Sequence, residues 1–319
     1  MDFGVNTLTR GPTANREGYL AVARKAEALG FGYIGVNDHV LVPHDINSRY
    51  PYTAEGNWPG KSFGECLDAL GMLCFLAGCT ERVRLLTSVM VLGHRHPILT
   101  AKLITTADVM SAGRVIVGCG VGWMKEEIEA LGGPPFEARG KAADEYLDAF
   151  KALWTQEKPS YRGEHVSFDG FAFAPKPVQM PHPPLWIGGE SPVALRRVAR
   201  VGDGWYPVSN NPQHPLDTPE RLGQGIAALR KAAEAIKRDP ASIDIAFVHL
   251  GPVSNTPRQA PNGTRLPFTG PAADIANDIE ALNRLGVRHL SLTFQGGSLN
   301  ETLDRMQRFA EDVMPLARR

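Results

Sequence analysis

The sequence has 319 residues, 43% of them hydrophobic, and can therefore bury a substantial core in one large domain or two ordinary ones. Its 34 Lys and Arg residues balance 34 Asp and Glu residues, so neither a nucleic acid nor an anionic membrane surface is expected as a partner. No apolar run is long enough to span a bilayer, and no basic and apolar leader opens the chain, so the expected location is the cytoplasm.

Apolar strand-like runs alternate with longer helical patterns along the chain. Strands are predicted near 2–6, 32–37, 84–91, 114–119, 184–188, 204–208, 243–250 and 288–294. Helices are predicted near 15–29, 63–78, 97–111, 124–131, 139–154, 192–201, 219–238, 272–285 and 299–316. Eight strand–helix pairs predict parallel strands with helical crossovers, and eight such units can close into a single (β/α)8 TIM barrel over residues 1–319.

Local signals mark several helix ends. Capping-box spacing at Ser62–Glu65 and at Ser298–Glu301 predicts two helix starts. Gly30, Gly202 and Gly286 each follow a predicted helix, where left-handed backbone is often needed.

The long connections indicate where a site would form. Each follows a strand and precedes a helix, and they cover 38–61, 207–218 and 251–271. In an eight-fold barrel such loops gather at the C-terminal face, where the active site lies. Residues 158–175 instead follow a helix and are predicted to form a hairpin-like insertion before the fifth strand, which would cover the barrel or build a dimer surface.

Asp38 and His39 end the second predicted strand. A histidine titrates near neutral pH and can take or give a proton beside a reaction centre. The alternative is a strand-end histidine satisfied by a neighbouring carbonyl. A place at the C-terminal end of a barrel strand favours the catalytic interpretation.

His94, Arg95 and His96 offer two imidazoles that flank one guanidinium. A metal would need further ligands from elsewhere, and the sequence has no other His or Cys cluster, so no metal site is predicted. Arg95 is a candidate contact for an anionic tail of a bound cofactor. The four cysteines form no Cys-x-x-Cys pair and are predicted to be reduced, buried thiols.

Two glycine-rich turns follow predicted strands. Gly118, Gly120 and Gly122 leave backbone free of side chains, so a ligand can approach it closely. The segment Gly188-Gly189-Glu190-Ser191 precedes Pro192 and predicts a phosphate cradle at a helix N-terminus. An ordinary tight turn capped by serine is the alternative, and the Glu190 carboxylate would have to point away from a phosphate.

These segments, in this order, resemble the bacterial luciferase-like superfamily of flavin and deazaflavin enzymes. The resemblance is carried by the block Arg84–Gly133, by Val36–His39, by Pro184–Gly189 and by Gly202–Trp205. It covers nearly the whole chain and is closest to oxidoreductases that use coenzyme F-420.

The resemblance implies roles for particular residues. His39 would be the catalytic acid or base, and Asp38 would orient it or bind the cofactor ring. The Gly188–Ser191 segment would hold the cofactor phosphate, with Gly120 on a second cofactor-binding loop. In similar deazaflavin enzymes a non-prolyl cis peptide at a Ser-Val step forms a bulge behind the ring, which implies a cis bond between Ser88 and Val89. Residues alone favour an uninterrupted strand there.

One position departs from the resemblance. Sugar-phosphate dehydrogenases that use F-420 carry a proton-donating glutamate after the comparable Gly-x-Gly, where this chain has Trp123. Trp123 cannot donate a catalytic proton, so a sugar-phosphate substrate is disfavoured, and the indole is expected to wall an apolar pocket. Glu126 and Glu127 follow one turn on and are predicted to lie on a solvated helix face.

The sequence thus predicts an oxidoreductase that moves hydride between coenzyme F-420 and a small organic substrate. A monooxygenase that uses reduced FMN and oxygen is the first alternative. A cofactor-binding protein with little turnover is the second, because the glutamate is absent. Family resemblance implies a homodimer.

Overall fold

A barrel of parallel strands organises the structure, a computed structural model that describes residues 1–60, 66–260 and 262–317. The strands, in chain order, are β1 (Asp2–Thr7), β2 (Tyr33–Val36), β3 (Arg84–Thr87), β4 (Met90–Val91), β5 (Val115–Gly120), β6 (Tyr161–Arg162), β7 (Ser167–Phe168), β8 (Leu185–Gly188), β9 (Gly204–Tyr206), β10 (Asp244–His249) and β11 (His289–Leu292).

Eight of these strands close into a ring. The order is β1-β2-β3-β5-β8-β9-β10-β11, and β11 pairs again with β1 through Asp2 and His289. All pairings in the ring are parallel, so the predicted (β/α)8 TIM barrel is confirmed. Three strands separate β1 from β8 on either side, which places these two strands opposite each other across the barrel.

Helices cover the outside of the ring. They are α1 (Arg16–Leu29), α2 (Ala69–Cys79), α3 (Pro97–Met110), α4 (Lys125–Ala130), α5 (Arg139–Thr155), α6 (Pro192–Val201), α7 (Pro219–Ala235), α8 (Ala272–Arg284), α9 (Leu299–Arg308) and α10 (Met314–Ala317). No helix within the described ranges has the length and apolarity needed to cross a bilayer.

The barrel has two apolar layers. A large core lies between strands and helices, and a smaller cluster that includes Tyr33, Trp186 and Tyr206 fills the ring itself. Gly4 makes room for the Tyr33 ring, because a Cβ atom at Gly4 would lie 2.0 Å from Tyr33 Cε2. The interior is therefore packed below the mouth, which leaves ligand binding to the loops above it.

The third strand is interrupted. The pattern predicts one strand over 84–91, but β3 ends at Thr87 and β4 begins at Met90, where it pairs with Cys119 of β5. The peptide bond between Ser88 and Val89 is cis, so the bond implied by the resemblance is confirmed.

The predicted hairpin is confirmed as the antiparallel pair β6–β7. It is attached to α5, since the carboxylate of Glu145 accepts hydrogen bonds from the backbone N–H groups of Glu164 and His165. Glu145, Glu164 and His165 are also the one group of three or more His, Cys, Asp or Glu residues in the described ranges whose ligand atoms all lie within 4.8 Å of one another. Both Glu145 oxygens are already used by the backbone, so the hairpin forms a structural attachment.

The backbone of the glycines that follow helices agrees with the prediction at two of three positions. Gly30 and Gly286 have φ values of 77° and 91°, as predicted, but Gly202 has φ −77°. At Gly202 the constraint is space, because a Cβ atom there would lie 2.9 Å from the Ile187 side chain.

The last helix is divided by a π-helical segment at Phe309–Val313. The Ser298 cap is confirmed, whereas the Ser62–Glu65 box lies outside the described residues.

A buried histidine gives the fold a pH dependence. His249 ends β10, and burial lowers its pKa from 6.5 to about 4. The folded state therefore keeps it neutral where the unfolded chain binds a proton. The contribution of His249 to the unfolding free energy should be fully present above pH 6.5. The unfolding free energy should then fall by about 3 kcal/mol as the pH drops towards 4.

His249→Gln should remove this loss. Urea unfolding at pH 7 and at pH 4.5 measures it, with a change at the exposed His44 (His44→Gln) as the matched control. An unchanged acid loss in His249→Gln would contradict the assignment.

Candidate functional site

A cavity of about 830 Å³ opens at the carboxyl ends of the barrel strands. Its size and its mixture of apolar and polar walls suit a cofactor or substrate. All nine residues singled out from the sequence line this one cavity: Asp38, His39, Ser88, Val89, Gly120, Gly188, Gly189, Glu190 and Ser191. The connections after β2 and β9 contribute to its walls, as expected for the C-terminal face of a barrel.

His39 is held by a glutamate from another element. Its Nδ1 lies 2.7 Å from Oε2 of Glu127, and Oε1 of Glu127 accepts hydrogen bonds from the backbone N–H groups of Val40 and Leu41. Glu127 is fully buried, so its predicted place on a solvated helix face is wrong. Helix α4 turns this side chain towards the loop after β2, where three hydrogen bonds satisfy the carboxylate.

The charge of Glu127 determines which nitrogen of His39 carries a proton. Burial raises the pKa of Glu127, but the hydrogen bond from His39 and the nearby His94 more than offset this and lower it. The carboxylate can only accept, so His39 donates through Nδ1–H. Nε2 is therefore the nitrogen that is left to exchange a proton.

Asp38 lies in a second network behind His39. Both carboxylate oxygens bind the Arg95 guanidinium at 2.8 Å, and Oδ2 accepts from the Val91 N–H at 2.9 Å. Burial raises the pKa of Asp38, but His94 and Arg95 together hold it below its ordinary value. Arg95 also binds Asp68 and is not among the residues that line the cavity, so its contact with a cofactor tail stays a prediction. The network ties the end of β2 to β4.

His94 stands between the two networks. Its Nδ1 is 3.6 Å from Oδ2 of Asp38, and its Nε2 is 3.6 Å from Oε2 of Glu127. The ring is buried between two carboxylates, which helps to keep both of them ionised.

The cavity floor is apolar at Val89. A Cβ atom at Gly120 would lie 2.7 Å from Val89 Cγ2, and one at Gly188 would lie 3.5 Å from Val89 Cγ1. Gly120 therefore makes room for the valine, whereas a Cβ atom at Gly188 would only be in ordinary van der Waals contact with it. Beside it, Ser88 Oγ and the Tyr206 hydroxyl are 2.9 Å apart.

The Gly188–Ser191 turn has the form of an anion cradle. Gly189 has φ 100°, which favours glycine, and its carbonyl accepts from the Trp205 indole N–H at 2.9 Å. Ser191 caps α6 by accepting from the Ala194 N–H at 3.2 Å, and Pro192 occupies the first turn. The turn thus brings a helix N-terminus to the cavity wall.

Glu190 is engaged by the loop after β9. Its carboxylate accepts from the Val208 N–H at 2.9 Å and from the Asn211 side-chain N–H at 2.7 Å. Burial raises its pKa. Both partners belong to the loop after β9 and not to the N-terminus of α6. The carboxylate is therefore engaged away from the place where a phosphate would bind.

Two arginines near the cradle carry no sequence motif. Arg197 of α6 binds Asp144 through Nε at 2.7 Å, and Arg139 at the start of α5 donates to the Gly122 carbonyl at 3.1 Å. Both line the cavity. Only the packing of α5 beside α6 brings them to the same wall.

An aromatic wall faces His39. The Trp58 ring lies 4.5 Å from the His39 ring and 5.8 Å from Trp123, and Tyr50 lies 5.1 Å from Trp123. Trp123 lines the cavity, in agreement with its expected place in an apolar wall.

The loop that carries this wall is fixed by α4. Glu126 accepts hydrogen bonds from the backbone N–H groups of Asn47 and Ser48 and from the Ser48 hydroxyl. Glu126 stays partly exposed, as predicted for a solvated helix face, but it also holds this loop, which the sequence did not indicate.

Comparison with known proteins places these features in context. Residues 1–268 match the family described as luciferase-like monooxygenase. An uncharacterised protein of Mycobacterium tuberculosis is 37% identical over 209 residues, covering 65% of this chain and 73% of its own. The FMNH(2)-dependent dimethylsulfone monooxygenase of Pseudomonas putida is 35% identical over 138 residues, covering 43% of this chain and 38% of that protein.

Solved structures share the fold. A monooxygenase from Streptomyces bottropensis has a TM-score of 0.72 at 23% identity and covers 99% of both chains. An F-420-dependent secondary alcohol dehydrogenase has a TM-score of 0.74 at 18% identity and covers 100% of this chain and 99% of its own.

Proposed function

Because the chain belongs to the luciferase-like monooxygenase family, we propose that it is an oxidoreductase that transfers hydride between coenzyme F-420 and a small organic substrate. The observation that carries the proposal is His39, held by Glu127 in the wall of a cavity of about 830 Å³, a size in the range of cofactor sites. Hydride transfer to or from a carbonyl or alcohol also moves a proton, and a fixed imidazole with a free Nε2 supplies that step.

The residues present suit a flavin-like cofactor. Val89 offers an apolar surface for one face of a ring, and the Gly188–Ser191 turn would hold its phosphate through backbone N–H groups, with Arg139 and Arg197 nearby. When bound, coenzyme F-420 supplies a deazaflavin ring that gives or takes hydride and reacts poorly with oxygen. The task of this chain is then to bind the ring, exclude water and hold the proton at His39.

Reduced FMN with oxygen is the alternative cofactor chemistry. It is favoured by the stretch of 138 residues that is 35% identical to an FMNH(2)-dependent monooxygenase. F-420 is favoured by the resemblance of the Asp38–His39 pair, of the Ser88–Val89 step and of the chain overall to F-420 enzymes.

Titration of the purified protein with F-420 and with FMN, followed by ring fluorescence, tests the choice. Tighter binding of F-420 is expected, and tighter binding of FMN would transfer the proposal to the alternative. A protein that binds F-420 but neither reduces it with alcohols nor oxidises its reduced form with ketones would be a carrier.

The cradle gives a direct mutational test. Gly189→Ala should weaken cofactor binding by roughly tenfold or more, because the φ of 100° is strained for alanine and the new Cβ atom would lie 3.0 Å from Ala194 Cβ. Gly170→Ala is the matched control, since it also has positive φ but lies in the hairpin with open space around its Cβ position. Equal cofactor affinity in both folded variants would contradict the cradle.

We further propose a cytoplasmic homodimer, as in similar enzymes. Phe171 and Met180, at and just beyond the hairpin insertion, are 72% and 86% exposed, and large apolar side chains so exposed suit a subunit contact. Light scattering of the purified protein tests the subunit number.

A further inference from the structure

Arg10 is a buried cation at the cavity wall. It follows β1, is 8% exposed and stacks on Trp58, with its Cζ 4.6 Å from the indole centroid. The stacking fixes the plane of the guanidinium, so its donors are held in one orientation before any ligand arrives.

The charge of Arg10 has no counter-ion in the described residues. Its Nε and Nη1 are buried without a hydrogen-bond partner, and no described carboxylate lies within 4 Å of it. The groups on which its charge acts are Tyr19, Tyr50 and Cys66, of which the Cys66 thiol also hydrogen-bonds to it, and none of the three is a carboxylate that could balance the charge. Buried charges in proteins are normally paired, and within the part of the chain that the structure describes this guanidinium lacks the partner that its burial calls for.

The position of Arg10 separates it from the phosphate cradle. It follows β1, and the cradle follows β8, on the opposite side of the ring. His39, by contrast, follows β2, the neighbour of β1, and Trp58 contacts both the His39 ring and the Arg10 guanidinium. An anion at Arg10 would therefore lie on the proton-transfer side of the cavity.

We propose that Arg10 binds a carboxylate of the substrate, so that the substrates are small carboxylic acids with an apolar, planar body. Guanidinium and carboxylate match in geometry, and the aromatic wall of Tyr50 and Trp123 receives the apolar part. The term substrate rests on the proposed function, but the binding of an acid does not. A carboxylate or phosphate of the cofactor has the same chemistry, and the experiment separates the two sources.

The test compares acids with their neutral amides in the absence of cofactor. Fluorine NMR titrations use 4-fluorobenzoate and 4-fluorophenylacetate against the matching amides, with wild type, Arg10→Met, Arg10→Lys and Arg49→Met. Arg49 also lines the cavity, but its guanidinium already donates to the Ala54 carbonyl at 3.2 Å, so it is the matched control.

At least one acid should bind wild type and Arg49→Met tenfold or more tightly than its amide. Arg10→Met should lose this preference, and Arg10→Lys should keep part of it. No preference in wild type, or a preference that survives Arg10→Met, overturns the proposal. If Arg10→Met does not fold, the proposal is decided by wild type, Arg10→Lys and Arg49→Met. It then requires an acid preference in wild type, a reduced preference in Arg10→Lys and an unchanged preference in Arg49→Met.

A separate F-420 titration of the Arg10 variants assigns the source of the anion. Unchanged F-420 affinity with lost acid preference supports a substrate carboxylate. Lost F-420 affinity with unchanged acid preference assigns Arg10 to the cofactor and overturns the proposal. Failure of wild type to bind F-420 would count against the proposed function alone.

Discussion

His39→Gln is expected to lower kcat by about 10²- to 10⁴-fold, the usual contribution of a positioned acid or base, while the Kd for the cofactor changes little. Glutamine is similar in length to histidine, and the hydrogen bonds from Val40 and Leu41 to Glu127 remain, so the loop after β2 should keep its position. What disappears is the exchangeable proton at Nε2. Stopped-flow measurement of ring absorbance separates the hydride step from cofactor binding.

The matched control is His44→Gln, an exposed histidine on the same loop. It should leave both kcat and the cofactor Kd unchanged. If His39→Gln turns over as fast as His44→Gln, then His39 is not the proton-transfer group. If it loses cofactor affinity and turnover in equal proportion, the imidazole serves in binding instead.

Glu127→Gln is expected to slow turnover on the order of 10⁴-fold, as in a histidine forced into the wrong tautomer. In wild type the carboxylate accepts from His39 Nδ1–H at 2.7 Å. The glutamine can keep its carbonyl on Val40 and Leu41, which turns its N–H₂ group towards His39. Nδ1 then becomes the acceptor, Nε2 carries the hydrogen, and a neutral ring loses its base.

The pH profile distinguishes this positioning role from a merely structural one. Glu127 fixes the tautomer in which Nε2 accepts the proton, so its loss should change the shape of the pH profile in the base-dependent direction. Glu126→Gln is the matched control, because Glu126 binds the same loop but not His39. A profile that is unchanged in Glu127→Gln, or changed as much in Glu126→Gln, would contradict the assignment.

The fold follows closely from local pattern. Alternation of apolar runs with amphipathic helices predicts the eight-stranded ring, since parallel strands with helical crossovers have few ways to pack. The ends of elements are less determined. Gly202 was expected to be left-handed because it follows α6, but its absent Cβ serves close packing against Ile187.

The site follows from the sequence only where a residue lies at a strand end. The rule that active sites lie at the carboxyl ends of barrel strands brings Asp38, Ser88 and Gly188 together without any knowledge of contacts. The contact of Glu127 with His39 could not be predicted, because the two residues are 88 positions apart in the chain. A glutamate on a short helix is also ordinarily solvated. The pairing of Arg95 was missed for the same reason, since nothing in the local pattern shows that Asp38 and Asp68 converge on it.

The double attachment of the loop after β2 bears on how this protein could change its substrate over time. Glu127 anchors the loop at Val40 and Leu41, and Glu126 anchors it again at Asn47 and Ser48. Tyr50 and Trp58 of the aromatic wall follow the second anchor, on residues 50–58. This segment can therefore vary in sequence while the upstream His39 stays fixed. Replacing residues 50–58 with the corresponding segment of a relative should change the substrate preference and leave His39 and Glu127 in place. Substitutions during evolution can change the substrate in the same way.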